Sequence, residues 1–362
     1  SGSQATSAAS FSGTKTIGPS GDDYASLTLA LADINTLGMS GNVILELQSD
    51  YVSSGETFPL EFTNFPGLSS SMTLTVRPAS GATGLSISGT NTTAIIRINN
   101  GDYITFDGRP GGIGTSRELT ISNSTTGPSI LFINDATNNS VRYCNIVGSG
   151  NTLTTSGVIF FSTTTGTTGN DDNTVQYCDL NGLGSAQAIY ALGTTAKDNS
   201  GNQILNNNIR DFYISSSSTS STYAVRIGAA NTNWTISGNS FYQSSSRSYS
   251  ATAAIHYILS ISNSTTGVGF TITDNYLGGS GPLATGTYTM TAGQQRLFAM
   301  DLSVGNSTPT SIQNNTITNI ACTTAFVTTG SSGILGMNLS AGSFNVGTVT
   351  GNTIGSTSAT GA

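Results

Sequence analysis

The sequence predicts an all-β chain: a single-stranded, right-handed parallel β-helix (a solenoid) with a short N-terminal capping α-helix. Three observations predict it. First, a phrase of the form apolar–x–x–Asn/Cys–x–apolar returns seven times, as Val141-Cys144-Ile146, Val175-Cys178-Leu180, Ile204-Asn207-Ile209, Ile236-Asn239-Phe241, Ile272-Asn275-Leu277, Ile312-Asn315-Ile317 and Val349-Asn352-Ile354. By subtraction of residue numbers the Asn/Cys position recurs after 34, 29, 32, 36, 40 and 37 residues, an imperfect period that marks a chain winding coil upon coil. Second, a further apolar run precedes each copy, beginning with Ile130-Leu131-Phe132-Ile133 and Val158-Ile159-Phe160-Phe161 and ending with Ile334-Leu335-Gly336-Met337. Third, charged residues are only 8% and Gly is 44 of 362, yet Ile, Val, Leu and Phe return regularly, as they do not in disordered chains. Glycine suits the tight turns between short strands.

The elements follow in order. Residues 1–20 are Ser/Gly/Thr-rich and read as an entry strand or arm. Asp22-Asp23 then opens a helix over about 22–37, with Tyr24, Leu27, Leu31 and Ile34 on one face, two acids suited to its dipole and Gly38 as its stop. Laid over the first coil, such a helix covers an exposed backbone edge and apolar core. From Val43 short strands follow, among them Val43–Leu47, Leu74–Val76, Leu85–Ile87, Ala94–Ile98, Tyr103–Phe106 and Leu119–Ile121, separated by turns such as Asn99-Asn100-Gly101 and Gly108-Arg109-Pro110-Gly111-Gly112. The chain is expected to divide into an arm and capping helix (1–40), first irregular coils (41–127) and regular coils (128–362), forming one continuous domain, and to be a fragment of a longer protein. The calcium-roll nonapeptide, leucine-rich spacing and the four antiparallel strands of a propeller blade are absent.

The recurring Asn reads as a structural ladder: an inward amide at a bend bonds backbone and the Asn above and below. Its members are Cys144, Cys178, Asn207, Asn239, Asn275, Asn315 and Asn352, the two thiols being small, buried and stacked.

Net charge is −7, and Lys15 and Lys197 are the only lysines. A phosphate-tracking protein needs a basic stripe, so the composition argues against nucleic acid and anionic membranes as partners. No run reaches the roughly 20 apolar residues of a membrane span.

Candidates for chemistry are few. His256, the one histidine, is expected to point outward if Ile255 and Tyr257 point inward, in a row with Arg226 of the coil before and Asp301 of the coil after. Such a row could face a sugar chain. Tyr213, Tyr223, Tyr242, Tyr249 and Tyr257 cluster in sequence, and Tyr242 and Tyr249, in the Ser-rich loop 242–251, are expected to be exposed for stacking on pyranose rings. Trp234 takes the repeat position of Phe270, which places it in the core. Asn170-Asp171-Asp172-Asn173 is the densest acidic patch, where Asp171 and Asp172 could hold a structural calcium; no other cofactor is indicated. Asp107 and Arg109 are expected to pair within their turn. A polysaccharide lyase or hydrolase would need paired carboxylates or a basic residue. The acids Asp107, Glu118, Asp171, Asp172, Asp179, Asp211, Asp274 and Asp301 place no pair on one ladder position in successive coils.

The stretches Gly21–Leu27, Gly41-Asn42-Val43, Leu45-Glu46-Leu47, Tyr103–Gly112 and Phe160–Gly166 resemble secreted parallel β-helix proteins of the Bacteroidetes. The resemblance implies export of the type IX secretion kind, display at the cell surface and an adhesin-like role with a polysaccharide or surface glycan as partner, beside further domains of the same parent chain. The leading expectation is therefore a non-catalytic extracellular adhesin or stalk. The alternatives are a polysaccharide-degrading enzyme and a purely structural spacer or filament subunit.

Overall fold

The structure, a computed structural model, describes residues 10–149, 155–214, 220–323 and 333–355; the side chains of 249–253 and 292–295 lie outside that description. The chain winds as a parallel β-helix of about nine turns. Three long sheets of 11, 9 and 10 strands run along it, here called the first, second and third sheets in the order each coil visits them. Successive coils pair in parallel: Val141 with Val175 and then Ile204 on the first sheet, Ile146 with Leu180 and Ile209 on the second, Ile159 with Ile189 and Val225 on the third.

Each repeated phrase is two strands, not one, because the residue just before the Cys/Asn turns the chain. Tyr143, Tyr177, Asn206, Gly238, Asp274 and Asn314 occupy that position with φ of 52°, 54°, 56°, 70°, 59° and 52°. Gly, Asn and Asp enter this left-handed region most readily. The bend sends the apolar half of the phrase to the first sheet and the Cys/Asn half to the second, and the preceding apolar run supplies the third.

At the bends the amides connect coil to coil. Asn207 Nδ2 donates to Asn239 Oδ1 (3.0 Å) and to the Val175 carbonyl (2.9 Å), and its backbone N–H also donates to Asn239 Oδ1 (3.0 Å). The same bonds join Asn239 to Asn275, Asn275 to Asn315 and Asn315 to Asn352. Cys178 donates its N–H to Asn207 Oδ1 (2.9 Å), and the thiols of Cys144 and Cys178 donate to the carbonyls of Arg142 and Gln176, each at 3.3 Å. Burial, and then Cys178 beside it, pushes the Cys144 thiol well up, so it is a packing group.

A second set of amide stacks, in two columns, went unread in the sequence. Asn139 Nδ2 donates to Asn173 Oδ1 (2.9 Å) and Asn173 Nδ2 to Asn202 Oδ1 (3.0 Å), while Asn170 Nδ2 donates to Asn199 Oδ1 (3.0 Å). Its signal was present: Asn-x-x-Asn occurs at 170/173 and again at 199/202, one coil later.

In the seventh phrase the register corrects the sequence reading. Ile312 pairs with Val346, not Val349, and Val349 is 87% exposed. Asn352 and Ile354 do hold the ladder and sheet positions, so the loop Gly347–Gly351 separates the two halves of that phrase.

One apolar core runs from Phe11 to Ile317 and includes Trp234 and Phe270, whose coils are in register through Thr235 and Thr271. The helix spans Leu27–Leu37 and buries Leu27, Ala30, Leu31 and Ile34. It therefore starts five residues later than expected, and Asp22 and Asp23 are not in its first turn. Asp23 instead accepts from the Thr16 N–H (2.9 Å). The negative charge at the helix start comes from Glu56, 29 residues downstream, whose carboxylate accepts the N–H groups of Leu27 and Thr28 at 2.8 Å each. Gly38 closes the helix with its N–H on the Ile34 carbonyl. Among the described residues no helix is long and apolar enough to cross a membrane.

Candidate functional site

In three consecutive strands of the third sheet strict alternation fails once, and this failure builds the site. In Tyr223-Ala224-Val225-Arg226, Tyr257-Ile258-Leu259-Ser260 and Phe298-Ala299-Met300-Asp301 the two middle residues are both buried in the core. The flanking residues therefore share the outer face, three positions apart. Stacked in register they form two rows. One runs Tyr223, Tyr257, Phe298, Leu335; the other runs Phe160, Tyr190, Arg226, Ser260, Asp301, Asn338.

The rings contact their neighbours in adjacent coils. Phe160 and Tyr190 stack at 5.1 Å and 8°, Tyr223 and Tyr257 at 4.8 Å and 2°, and Phe298 meets Tyr257 edge-on at 5.5 Å. Arg226 bridges the rows, its guanidinium 5.2 Å from the Tyr190 ring and 4.9 Å from the Tyr223 ring. Arg296 lies 4.5 Å from the Phe298 ring. Further along, Asn338 Nδ2 donates to Asp301 Oδ1 (2.6 Å). Burial, helped by Tyr223 and the Asp301 carboxylate, pushes the Tyr257 phenol up to about 12. Its hydroxyl thus stays protonated, and able to donate, through the physiological range. The face therefore carries ring edges, guanidinium groups and hydrogen-bonding side chains, with Tyr223, Arg226, Tyr257 and Asp301 half-buried and Tyr190, Ser260 and Phe298 largely covered.

Of the residues expected to line such a face, Arg226 and Asp301 do share a row, with Ser260 between them. His256 does not. It is 2% exposed, pairs in register with Thr222 and Leu297, and its Nδ1 hydrogen-bonds Thr222 Oγ1. The expectation had Tyr257 pointing inward; Tyr257 points out, which turns its neighbour in. Tyr242 is also corrected: it ends the second-sheet strand Ser240–Tyr242 and is buried rather than carried on an exposed loop. Its phenol is raised by burial and then by Asp179. Tyr249 lies on the strand Arg247–Ser262, and its side chain is outside the described residues. Phe160, Tyr190, Phe298 and Arg296 were missed. Aligning the quartets around the small–large pairs Ala188-Ile189, Ala224-Val225 and Ala299-Met300 would have found Tyr190 and Phe298.

Asp171 and Asp172 lie elsewhere, on the polar turn between two ladder amides. Asp171 Oδ1 accepts the Ser200 N–H (2.7 Å). Burial, and then the charges of Asp172, Asp135 and Asp198, raise the Asp171 carboxyl. Among the described residues no group of three or more His, Cys, Asp or Glu side chains is placed to hold a metal ion.

The other acids are engaged. Asp107, 1% exposed, accepts from Arg109 (2.9 and 2.7 Å) and Arg142 (3.0 Å). Burial opposes its charge, but these bonds hold the carboxyl below its ordinary range. Asp211 likewise bonds Ser244, Arg210 and Arg247, and Asp179 bonds Arg210 (3.0 Å).

No family model and no curated protein matches this sequence. Solved structures with a similar winding include an alginate lyase from Paenibacillus sp. str. FPU-7 (12% identity, TM-score 0.44, covering 90% of this chain and 99% of that one). A GH136 lacto-N-biosidase from Eubacterium ramulus matches at 11% identity and TM-score 0.48 over 92% of this chain and 68% of that one. PfbA, a surface adhesin of Streptococcus pneumoniae, matches at 11% identity and TM-score 0.41 over 88% and 87%. The likeness is one of parallel β-helix fold.

Proposed function

We propose that this chain is a non-catalytic, extracellular binding module of a bacterial surface protein, engaging a glycan along the outer face of the third sheet. The observation that carries the reading is the row Tyr190, Arg226, Ser260, Asp301, Asn338 beside the row Tyr223, Tyr257, Phe298. Coils about 4.8 Å apart repeat these groups at an interval comparable to one sugar of an extended chain. Ring edges supply apolar contact, while guanidinium, carboxylate, amide and phenol groups match sugar hydroxyls. The engagement of Asp107, Asp179 and Asp211 in ion pairs supports binding over turnover.

The test is retention on a panel of immobilised neutral and acidic polysaccharides, with newly formed reducing or unsaturated ends recorded alongside. Arg226→Ala and Tyr257→Ala should each weaken retention several-fold, without new ends in any sample. New ends that vanish in Asp301→Asn would make the protein an enzyme, and undiminished retention in both variants would move the binding face elsewhere.

A stalk is the second reading, favoured by the first sheet's outer face. There Thr75, Thr105, Ser140 and Thr174 align in one row, and Thr235, Thr271 and Ser311 continue it past Gln203. Absence of retention across the whole panel would support it.

A further inference from the structure

At the bend between the first and second sheets, later coils place Asn206, Gly238, Asp274 and Asn314 in the left-handed conformation. Two consecutive coils place tyrosines there instead, Tyr143 at φ 52° and Tyr177 at φ 54°. A bulky aromatic residue is a genuine outlier in this region, and such outliers cluster at ligand sites. The two rings stack at 4.9 Å and 15°. One end of the stack is closed: the Arg109 guanidinium lies 4.6 Å from the Tyr143 ring and is anchored by buried Asp107. The other end is open. Tyr177 is 38% exposed, and in the next coil its position passes to Asn206, whose side-chain oxygen leans on toward Gly238.

Two charged residues belong to the same corner of the coil as this ring. Arg117 crosses from an earlier loop; its Nε donates to the Tyr177 carbonyl (2.6 Å) and its own carbonyl accepts from Asn145 Nδ2 (2.9 Å). Asp179, two residues beyond Tyr177, is in register with Asn145 on the second sheet and is held by an ion pair to Arg210 (3.0 Å), which leaves its second carboxylate oxygen to accept from a ligand. An aromatic face beside a guanidinium and a carboxylate is the complement of a pyranose ring, which offers one C–H face and a rim of hydroxyls. The chain's net charge of −7 disfavours a nucleobase on a phosphate backbone as the stacked group.

We propose that Tyr177, with Arg117 and Asp179, forms a second saccharide-binding site that stacks a single hexopyranose, on a different sheet corner from the third-sheet face. It extends the glycan-binding reading but does not require that face. The stacked rings of Tyr143 and Tyr177 form the platform, and Arg109 is a positioning residue behind it.

The test uses saturation-transfer NMR on the whole chain with methyl glucoside, galactoside and mannoside pyranosides as probes, against Tyr177→Phe, Tyr177→Ala and Tyr177→Asn. The last variant introduces the residue type of the following coil and should keep or raise the thermal midpoint, so lost binding cannot be ascribed to unfolding. Transfer should survive in Tyr177→Phe, and affinity should fall about three- to tenfold in Tyr177→Ala and Tyr177→Asn, the range expected for one aromatic stacking contact. Undiminished transfer in Tyr177→Asn would overturn the proposal, as would no transfer from the unmodified protein to any of the three probes. Polysaccharide retention that depends on Arg226 and Tyr257 but not on Tyr177 would leave the third-sheet reading standing alone.

Discussion

Asn275 Oδ1 accepts two hydrogen bonds from Asn239, one from the backbone N–H (3.1 Å) and one from Nδ2 (3.0 Å). Asn239 Oδ1 accepts the same pair from Asn207, so each amide completes the coil before it and is completed by the coil after. All three residues are buried.

Asn239→Ala should therefore destabilise well beyond a surface change. It strands two buried Asn207 donors, together with the carbonyl of Ile204 that accepts from Asn239 (2.8 Å). At roughly 1–3 kcal/mol per stranded buried group, a loss of about 3 kcal/mol or more is expected. Urea unfolding followed by circular dichroism measures it; a loss under about 1 kcal/mol would show that water replaces the amide without cost.

Glu56→Ala should loosen the capping helix. The Glu56 carboxylate holds two orphan N–H groups at the helix start and also accepts from Tyr51 Oη (3.0 Å). A loss of about 1–2 kcal/mol follows from a missing cap. Hydrogen exchange at Leu27, Thr28 and Leu29 should quicken while the later coils stay protected.

Asp107 sets an acid limit. Its folded-state carboxyl is held below the ordinary range by Arg109 and Arg142, against the pull of burial. A lowered carboxyl stabilises the fold above its unfolded value of about 3.9, and that stability is lost as pH falls through the folded value. Stability should thus decline below about pH 4 in the unmodified protein. Asp107→Asn should flatten that decline and cost about 2–4 kcal/mol at neutral pH, since it leaves the Arg109 and Arg142 charges without their carboxylate. Denaturant midpoints across pH 2–7 compare the two; parallel curves would sink the assignment.

How far the sequence could be read depends on how local each feature is. The phrase Ile204-Asn207-Ile209 predicted an inward amide between two core residues, and the core places of Ile204 and Ile209 and the bonds of Asn207 match that pattern. Trp234 and Phe270 share a core column, as their repeat position implied. His256 was misread because periodicity was counted from the wrong face: one shifted residue reverses every side chain of a strand. Tyr242 was misread as a loop residue because a three-residue strand, Ser240–Tyr242, carries almost no periodic signal of its own.

By itself the sequence determined the winding, the period of the coils, the inward amide column and the core identity of the recurrent aliphatic residues. These follow from side-chain type repeated at fixed intervals, and a parallel stack reads such repetition directly. Only the tertiary structure decided which outward residues meet. Arg226 reaches Tyr190 and Tyr223, and Asp301 reaches Asn338, because coils of unequal length are brought into register by hydrogen bonding between strands. Loop insertions between 29 and 40 residues of period hide that register in the linear chain. The consecutive buried residues Ile258 and Leu259 that turn Tyr257 and Ser260 to the same face are settled by packing against neighbouring coils, a property no single coil contains.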